Sequence, residues 1–227
     1  MERALSKLGV ASRSQTRRWI EQGLLKVNGV VVKDPEFPVV PEKDRFECNG
    51  KIVGATAPCL VLLNKPKGYV TTRSDEKGRK TIYDLLPPSL QHLHAVGRLD
   101  MHTSGLLLLT NDTQLSAHLT DPANAFERVY VVTVRGKMTA EQAAQLKVGV
   151  QEGREVLQAK GIVLRKISNR ESHLLVTLVE GKNREIRRMF KVLGHEVTAL
   201  KRIRFGPWEL GNLQSGEWGQ SPMQTAV

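Results

Sequence analysis

Arg98 and Asp100 are the residues whose types and spacing first suggest chemistry. They lie in Ala95-Val96-Gly97-Arg98-Leu99-Asp100-Met101-His102-Thr103-Ser104-Gly105, a turn-like stretch that runs into consecutive leucines at 106–109. The leucines read as a buried strand, although periodicity alone does not exclude a helix, and Asn111-Asp112 then marks a turn. A cation and an anion at the mouth of a buried strand are candidate site residues, since groups that move protons or attack substrates sit where burial and charge tune them. From Gly-Arg-Leu-Asp alone the plainer reading is preferred: Asp100 caps a turn and Arg98 is a surface partner.

Two further stretches carry chemistry-bearing types. In Glu180-Gly181-Lys182-Asn183-Arg184-Glu185-Ile186-Arg187-Arg188-Met189-Phe190-Lys191-Val192-Leu193-Gly194-His195, Asn183 is an acceptable N-cap and Gly194 a stop. Ile186, Met189, Phe190 and Leu193 form an apolar helical stripe, with Arg184, Arg188 and Lys191 opposite it. Arg187 sits beside the stripe, where an arginine can bury its stem and aim its guanidinium at an internal carboxylate. Residues 182–204 hold eight Lys or Arg against two Glu, an electrostatic footprint that includes Lys182, Lys201 and Arg202. Tyr130 shares a strand face with Val132 and Val134, and its hydroxyl needs a partner if buried; a core tyrosine bonded to backbone is the plainer alternative.

The elements that position these residues must come from 227 residues with a formal charge of +11. That excess points to a polyanionic partner, nucleic acid before an anionic membrane. No apolar run approaches the ~18 residues of a membrane span, and the first residues lack the apolar core of a signal peptide. Cys48 and Cys59 are too few for a disulfide framework or zinc site and suit a reducing cytoplasm. His92 and His94 would share a strand face but have no further ligands nearby, so no metal is expected. No phosphate loop, dinucleotide fingerprint or nucleophile elbow is present, so no cofactor is expected.

In chain order, residues 1–53 read as a compact unit. A short helix ends at Gly9, and Ser12 with Gln15 opens a second helix that stops at Gly23. Arg13 and Arg17 share a face of that helix, with Arg18 beside them, and a phosphate backbone would relieve their repulsion; an ordinary solvated face is the alternative. Asn28-Gly29 between apolar residues signals a hairpin. Residues 54–59 read as a linker, and residues 60–227 as the larger domain. Within it, 60–65 is a buried strand that breaks at Lys-Pro-Lys-Gly, and 73–80 is a charged, mobile loop. Residues 113–120 are a short helix, 126–136 a strand, 139–147 a capped helix, and 155–167 and 170–179 two strands joined at Ser168-Asn169. Pro207, Gly211 and Gly216-Glu217-Trp218 mark end turns.

Gly9-Val10-Ala11-Ser12-Arg13, Ile20-Glu21-Gln22-Gly23 and Val27-Asn28-Gly29 resemble the S-four domain, a small RNA-binding module of two helices and a hairpin. Gly97-Arg98-Leu99-Asp100 with the run to Asp112 resembles the catalytic motif of bacterial rRNA pseudouridine synthases, the RsuA family. Arg128-Val129-Tyr130-Val131-Val132, the 180–190 segment and Lys65-Pro66-Lys67-Gly68-Tyr69 match that family in order. His102 departs from it, where many members carry an acidic or amide residue. The resemblance implies an α+β fold: a helix-rich N-terminal RNA-binding domain, then a catalytic domain on a largely antiparallel mixed β-sheet with flanking helices. It implies isomerisation of uridine to pseudouridine in ribosomal RNA, on a single uridine flipped from a loop or bulge, by a cytoplasmic monomer without a cofactor. Asp100 would be nucleophile at the sugar carbon or base at the 2′ position, Tyr130 would stack on the base, and Arg187 would pair with Asp100. Arg98 would hold the flipped nucleotide or fill its place. RNA contacts would come from Arg13, Arg17, Arg18, Lys182, Arg184, Arg188, Lys191, Lys201 and Arg202. Large-subunit rRNA is favoured by the charged loop at 75–80 and the segment 81–87; small-subunit rRNA and a non-catalytic assembly factor are the alternatives.

Overall fold

The four leucines at 106–109 are fully buried, on alternating sides of one strand. The computed structural model describes residues 1–41, 43–54 and 57–222. Leu107 and Leu109 join the larger core cluster, whereas Leu106 and Leu108 join a second cluster with Leu60, Phe205 and Trp208. Successive side chains of a strand alternate faces, so a strand covered on both sides reads as a continuous apolar run.

The N-terminal unit has its own cluster, built on Leu5, Ile20, Leu25, Val27 and Phe46. Helices α1 (Glu2–Lys7) and α2 (Arg13–Glu21) precede strands β1 (Leu25–Val27), β2 (Val30–Val31), β3 (Phe46–Cys48) and β4 (Lys51–Val53). The strands form one sheet in the order β2-β1-β3-β4. Ser12 caps α2 by accepting from the Gln15 N–H at 3.2 Å. The expected hairpin at Asn28-Gly29 is joined by a second at Asn49-Gly50, and both asparagines take positive φ, 50° and 49°. Of the expected linker, Ala55 and Thr56 lie outside the described residues.

The larger unit follows with β5 (Leu60–Lys65), β6 (His94–Ala95), β7 (Ser104–Thr110), α3 (Thr113–Thr120), β8 (Arg128–Arg135) and α4 (Ala140–Val148). It continues with β9 (Val150–Glu152), β10 (Glu155–Leu157), β11 (Gly161–Ile167), β12 (Glu171–Leu178), α5 (Glu185–Val192), β13 (Val197–Phe205), β14 (Trp208–Glu209) and β15 (Trp218–Ser221). The main sheet runs β11-β12-β8-β13-β7-β5-β15, with β14 on β13 and β6 on β7. Its pairings are antiparallel except β13 with β7, which are parallel.

Several expectations need correction. The segment 155–167 is two strands: β10 folds back on β9, and only β11 pairs with β12. His92 lies in a turn outside β6, so it and His94 share no strand face. The 73–80 loop is tied rather than loose, because Asp75 accepts from the Lys77 and Arg79 N–H groups and from the Arg79 guanidinium. Arg79 holds the Asp75 carboxyl well below its ordinary range. The C-terminal turn residue Trp218 begins strand β15, which completes the sheet edge on β5.

Gly105 fixes how closely β7 approaches β13. Its φ is +102°, and a Cβ there would lie 2.1 Å from the Arg202 carbonyl oxygen. Gly105→Ala is expected to cost about 2–4 kcal/mol from backbone strain plus overpacking, read as a lower urea midpoint. An unchanged midpoint would show that β13 yields freely.

Candidate active site

Lys65, the last residue of β5, is fully buried. Its ammonium donates to the carbonyls of Pro66 at 3.1 Å, Asp100 at 3.0 Å and Thr103 at 2.8 Å. Burial pulls its pKa down to about 8, and the Asp100 charge opposes the shift. The turn it grips is held from a second side. The Thr71 hydroxyl donates to the Leu99 carbonyl at 2.8 Å, and the Gly68 N–H to the Met101 carbonyl at 2.8 Å.

This turn presents the Asp100 carboxylate at the edge of a cleft of about 1020 Å³. Its Oδ2 accepts from the Thr103 hydroxyl at 3.1 Å and from Arg184 Nη1 at 3.4 Å. Arg187 Nε stands 3.7 Å from the same oxygen, an ion-pair distance too long for a hydrogen bond. Arg187 is fixed by donating to the carbonyls of Val197 at 2.9 Å and His102 at 3.0 Å. Burial lowers its pKa while Asp100 opposes the shift. The departure at His102 leaves this arrangement intact, since Arg187 uses the backbone carbonyl and the side chain is exposed.

Tyr130 is nearly buried and lines the same cleft, between Val132 in the core and the opening. Among the described residues no group hydrogen-bonds its hydroxyl, so the backbone-bonded core tyrosine is not what forms. Arg98 is exposed on the cleft wall. The structure therefore brings Asp100, Tyr130 and Arg98 to one cavity, with Arg187 against the Asp100 carboxylate but not among the lining residues, although they come from three separate segments.

The basic residues divide. Arg18, Lys191 and Lys201 are exposed. Arg17 bonds Glu2 at 2.7 Å, and Arg13 stands 3.9 Å from the same carboxylate, so the α2 arginines are partly compensated within their own unit. Lys182 pairs with Glu180 at 2.8 Å. Arg184, placed among the RNA contacts by the sequence, reaches Asp100 instead. Arg188 pairs with Glu152 and Glu155 of the β9–β10 hairpin. Arg202 is buried between β8 and β7, with Nε on the Leu106 carbonyl at 2.7 Å, and lines the cleft from there rather than from an exposed surface. Helix α5 starts at Glu185 with Arg184 as its N-cap in a left-handed conformation, one residue later than an Asn183 cap requires.

Sequence reasoning missed Lys65 and Thr103 as site residues. Lys65 had one signal, a cation ending a continuous apolar strand; Thr103 had another, a hydroxyl three residues after the aspartate. Among the described residues, no group of three or more His, Cys, Asp or Glu is placed to hold a metal, and no helix is long and apolar enough to cross a membrane.

Residues 59–191 match the family model for RNA pseudouridylate synthase, and residues 3–46 match the S4 domain. The chain belongs to the RNA pseudouridylate synthase family. It is 36% identical over 219 residues to the ribosomal large subunit pseudouridine synthase B of Bacillus subtilis, covering 96% of this chain and 89% of that protein. It is 37% identical to an uncharacterized RNA pseudouridine synthase of Aquifex aeolicus, covering 94% of this chain and 86% of that one. A crystal structure of a pseudouridylate synthase superposes with a TM-score of 0.68 at 29% identity, covering 97% of this chain and 94% of that one. The mixed α and β architecture, with a sheet-rich core after an S4 unit, is thus that of a pseudouridine synthase.

Lys65→Met in this synthase is expected to leave three carbonyls without their donor. The cost is about 3–5 kcal/mol, measurable by urea unfolding, because buried acceptors lose their partner. A loss below about 1 kcal/mol would mean the turn has another anchor.

Proposed function

We propose that this chain isomerises uridine to pseudouridine at one position of large-subunit ribosomal RNA, with Asp100 as the catalytic carboxylate. The observation that carries this is the Asp100 side chain, which projects into the cleft with Tyr130 and is held by Thr103, Arg184 and Arg187. The name of the Bacillus subtilis relative supports the large subunit as substrate.

The bond from the ribose C1′ to N1 of the base breaks, the base turns, and C5 bonds to C1′. The C5 proton is lost and N1 gains one, so the atoms balance without oxidant or second substrate. Asp100 acts at the sugar, as nucleophile on C1′ or as base at C2′, and the guanidiniums of Arg184 and Arg187 hold its carboxylate in place. Tyr130 presents a flat ring on which the base stacks. Arg98, exposed at the rim, holds the displaced nucleotide. A uridine inside folded RNA must leave its stack to reach this cleft, and one chain supplies one complete cleft, in keeping with a monomer in the cytoplasm. Exposed Arg18, Lys191 and Lys201 add sequence-independent phosphate attraction.

The test is a pseudouridine map of both ribosomal RNAs from a deletion strain complemented with wild type or Asp100→Asn. Wild type is expected to restore one large-subunit position. Asp100→Asn is expected to lose at least ~10³-fold in single-turnover rate while RNA affinity stays within about threefold. Restoration by Asp100→Asn contradicts the catalytic assignment, and a restored small-subunit position contradicts the substrate. RNA binding is also expected to weaken linearly in log–log with salt, and a salt-independent affinity would exclude phosphate-driven docking.

A further inference from the structure

Glu185 is a buried carboxyl that the reaction as described does not use. It opens α5, the helix that delivers Arg184 and Arg187 to Asp100. Its Oε2 accepts from the Lys182 N–H at 3.2 Å, and its own N–H donates to the Lys182 carbonyl at 3.3 Å, so the 182–185 turn is closed from both ends. Its Oε1 is buried, and among the described residues no donor reaches it. The side chain that does reach Glu185 is another carboxylate, Glu180. Glu185 is buried while Glu180 is a third exposed, so ionising Glu185 beside the Glu180 carboxylate is disfavoured, and a protonated Glu185 donates to Glu180 instead. Glu180 is already paired with the Lys182 ammonium at 2.8 Å, which leaves the proton on Glu185.

The other charges around it do not replace that proton. Arg128 of β8 lies close enough to act through space, but its guanidinium is committed to the carbonyls of Phe126, Val179 and Leu119. Lys182 also faces Glu155 of β10, and Arg184 is turned to Asp100. Burial and Glu180 push the Glu185 pKa up to about 8. Arg184, immediately before it, sits at φ +48°, a left-handed conformation that is unfavourable for a non-glycine residue and persists only when its surroundings hold it.

We propose that Glu185 is a positioning residue: its neutral carboxyl, sharing a proton with Glu180 and accepting from the Lys182 backbone, locks the first turn of α5 so that Arg184 and Arg187 meet Asp100. This rests on the reading of Asp100 as the catalytic carboxylate. Loss of the proton sets a buried anion at Glu185 against the Glu180 carboxylate, and the turn relaxes away from Asp100.

The test compares single-turnover pseudouridine formation by wild type and Glu185→Gln across about pH 6 to pH 9.5. Glutamine is permanently neutral, keeps an N–H donor toward Glu180 and keeps a carbonyl for Lys182. The variant is expected within about threefold of wild type at pH 7 and to outrun it by about tenfold at pH 9, since each unit above the pKa removes tenfold of the protonated form. The ratio at each pH cancels titration of the RNA itself. Glu185→Leu is expected to lose at least ~10-fold in kcat at pH 7 with KM unchanged, because the Asp100 contacts, not RNA binding, are disturbed. A ratio that does not change with pH, or a glutamine variant as slow as leucine at pH 7, overturns the proposal. In wild type labelled with 13C at glutamate carboxyls, one glutamate is expected to titrate near pH 8. Titration of every glutamate below about pH 6 overturns the proposal even if a variant fails to fold. An Asp100→Asn control assayed alongside separates the two claims: full activity there removes the reading of Asp100, whereas flat ratios with an inactive control remove only the role of Glu185.

Discussion

The site depends on one buried ammonium. Lys65 has no exposed surface, and each of its three N–H donors meets one backbone carbonyl, a complete set for a lysine. Two of those carbonyls belong to Asp100 and Thr103, the ends of the turn that also supplies the Thr103 hydroxyl to the Asp100 carboxylate. The same charge lies behind Asp100 while Arg184 and Arg187 lie in front, so the carboxylate is set among three cations. Gly105 follows within the same segment and lets β7 press against β13, which orders the floor of the cleft.

Around this anchor the arginines are sorted by their partners rather than by their position on a helix. Arg188 pairs with two glutamates of a neighbouring hairpin, and Arg202 is buried in the sheet where it lines the cleft. Arg184 and Arg187 turn inward to one carboxylate, and only then does α5 contribute to chemistry instead of to a basic surface. These pairings leave the formal charge of +11 unchanged, since it already subtracts the acids, but they decide where that charge faces RNA. The positive field at the cleft comes from the residues left exposed, Arg98 among them.

The parts legible in the sequence were those governed by local periodicity and capping. The apolar stripe of α5 placed Arg187 at its border, and that border position is why the guanidinium reaches an internal carboxylate. The leucine run, the Ser12 cap and the Asn28-Gly29 hairpin rest on the same local rules. What depended on long-range pairing was not legible. The basic footprint over residues 182–204 treats Lys201 and Arg202 alike, but a strand with neighbours on both edges and cores on both sides exposes Lys201 and buries Arg202. The acids that neutralise Arg188 lie 36 and 33 positions away, and Lys65 reads as a turn residue until the Asp100 turn, 35 positions on, is seen to close over it.

The central claim is that Arg187 serves the Asp100 carboxylate and not the RNA. The most direct measurement is Arg187→Met, with single-turnover rate and RNA affinity determined on the same preparation. The account predicts a rate lower by about 10²–10³-fold, the usual loss when a preorganised charge partner is removed, with affinity within about threefold of wild type. A variant that binds RNA tenfold more weakly yet isomerises bound uridine at the wild-type rate would contradict it.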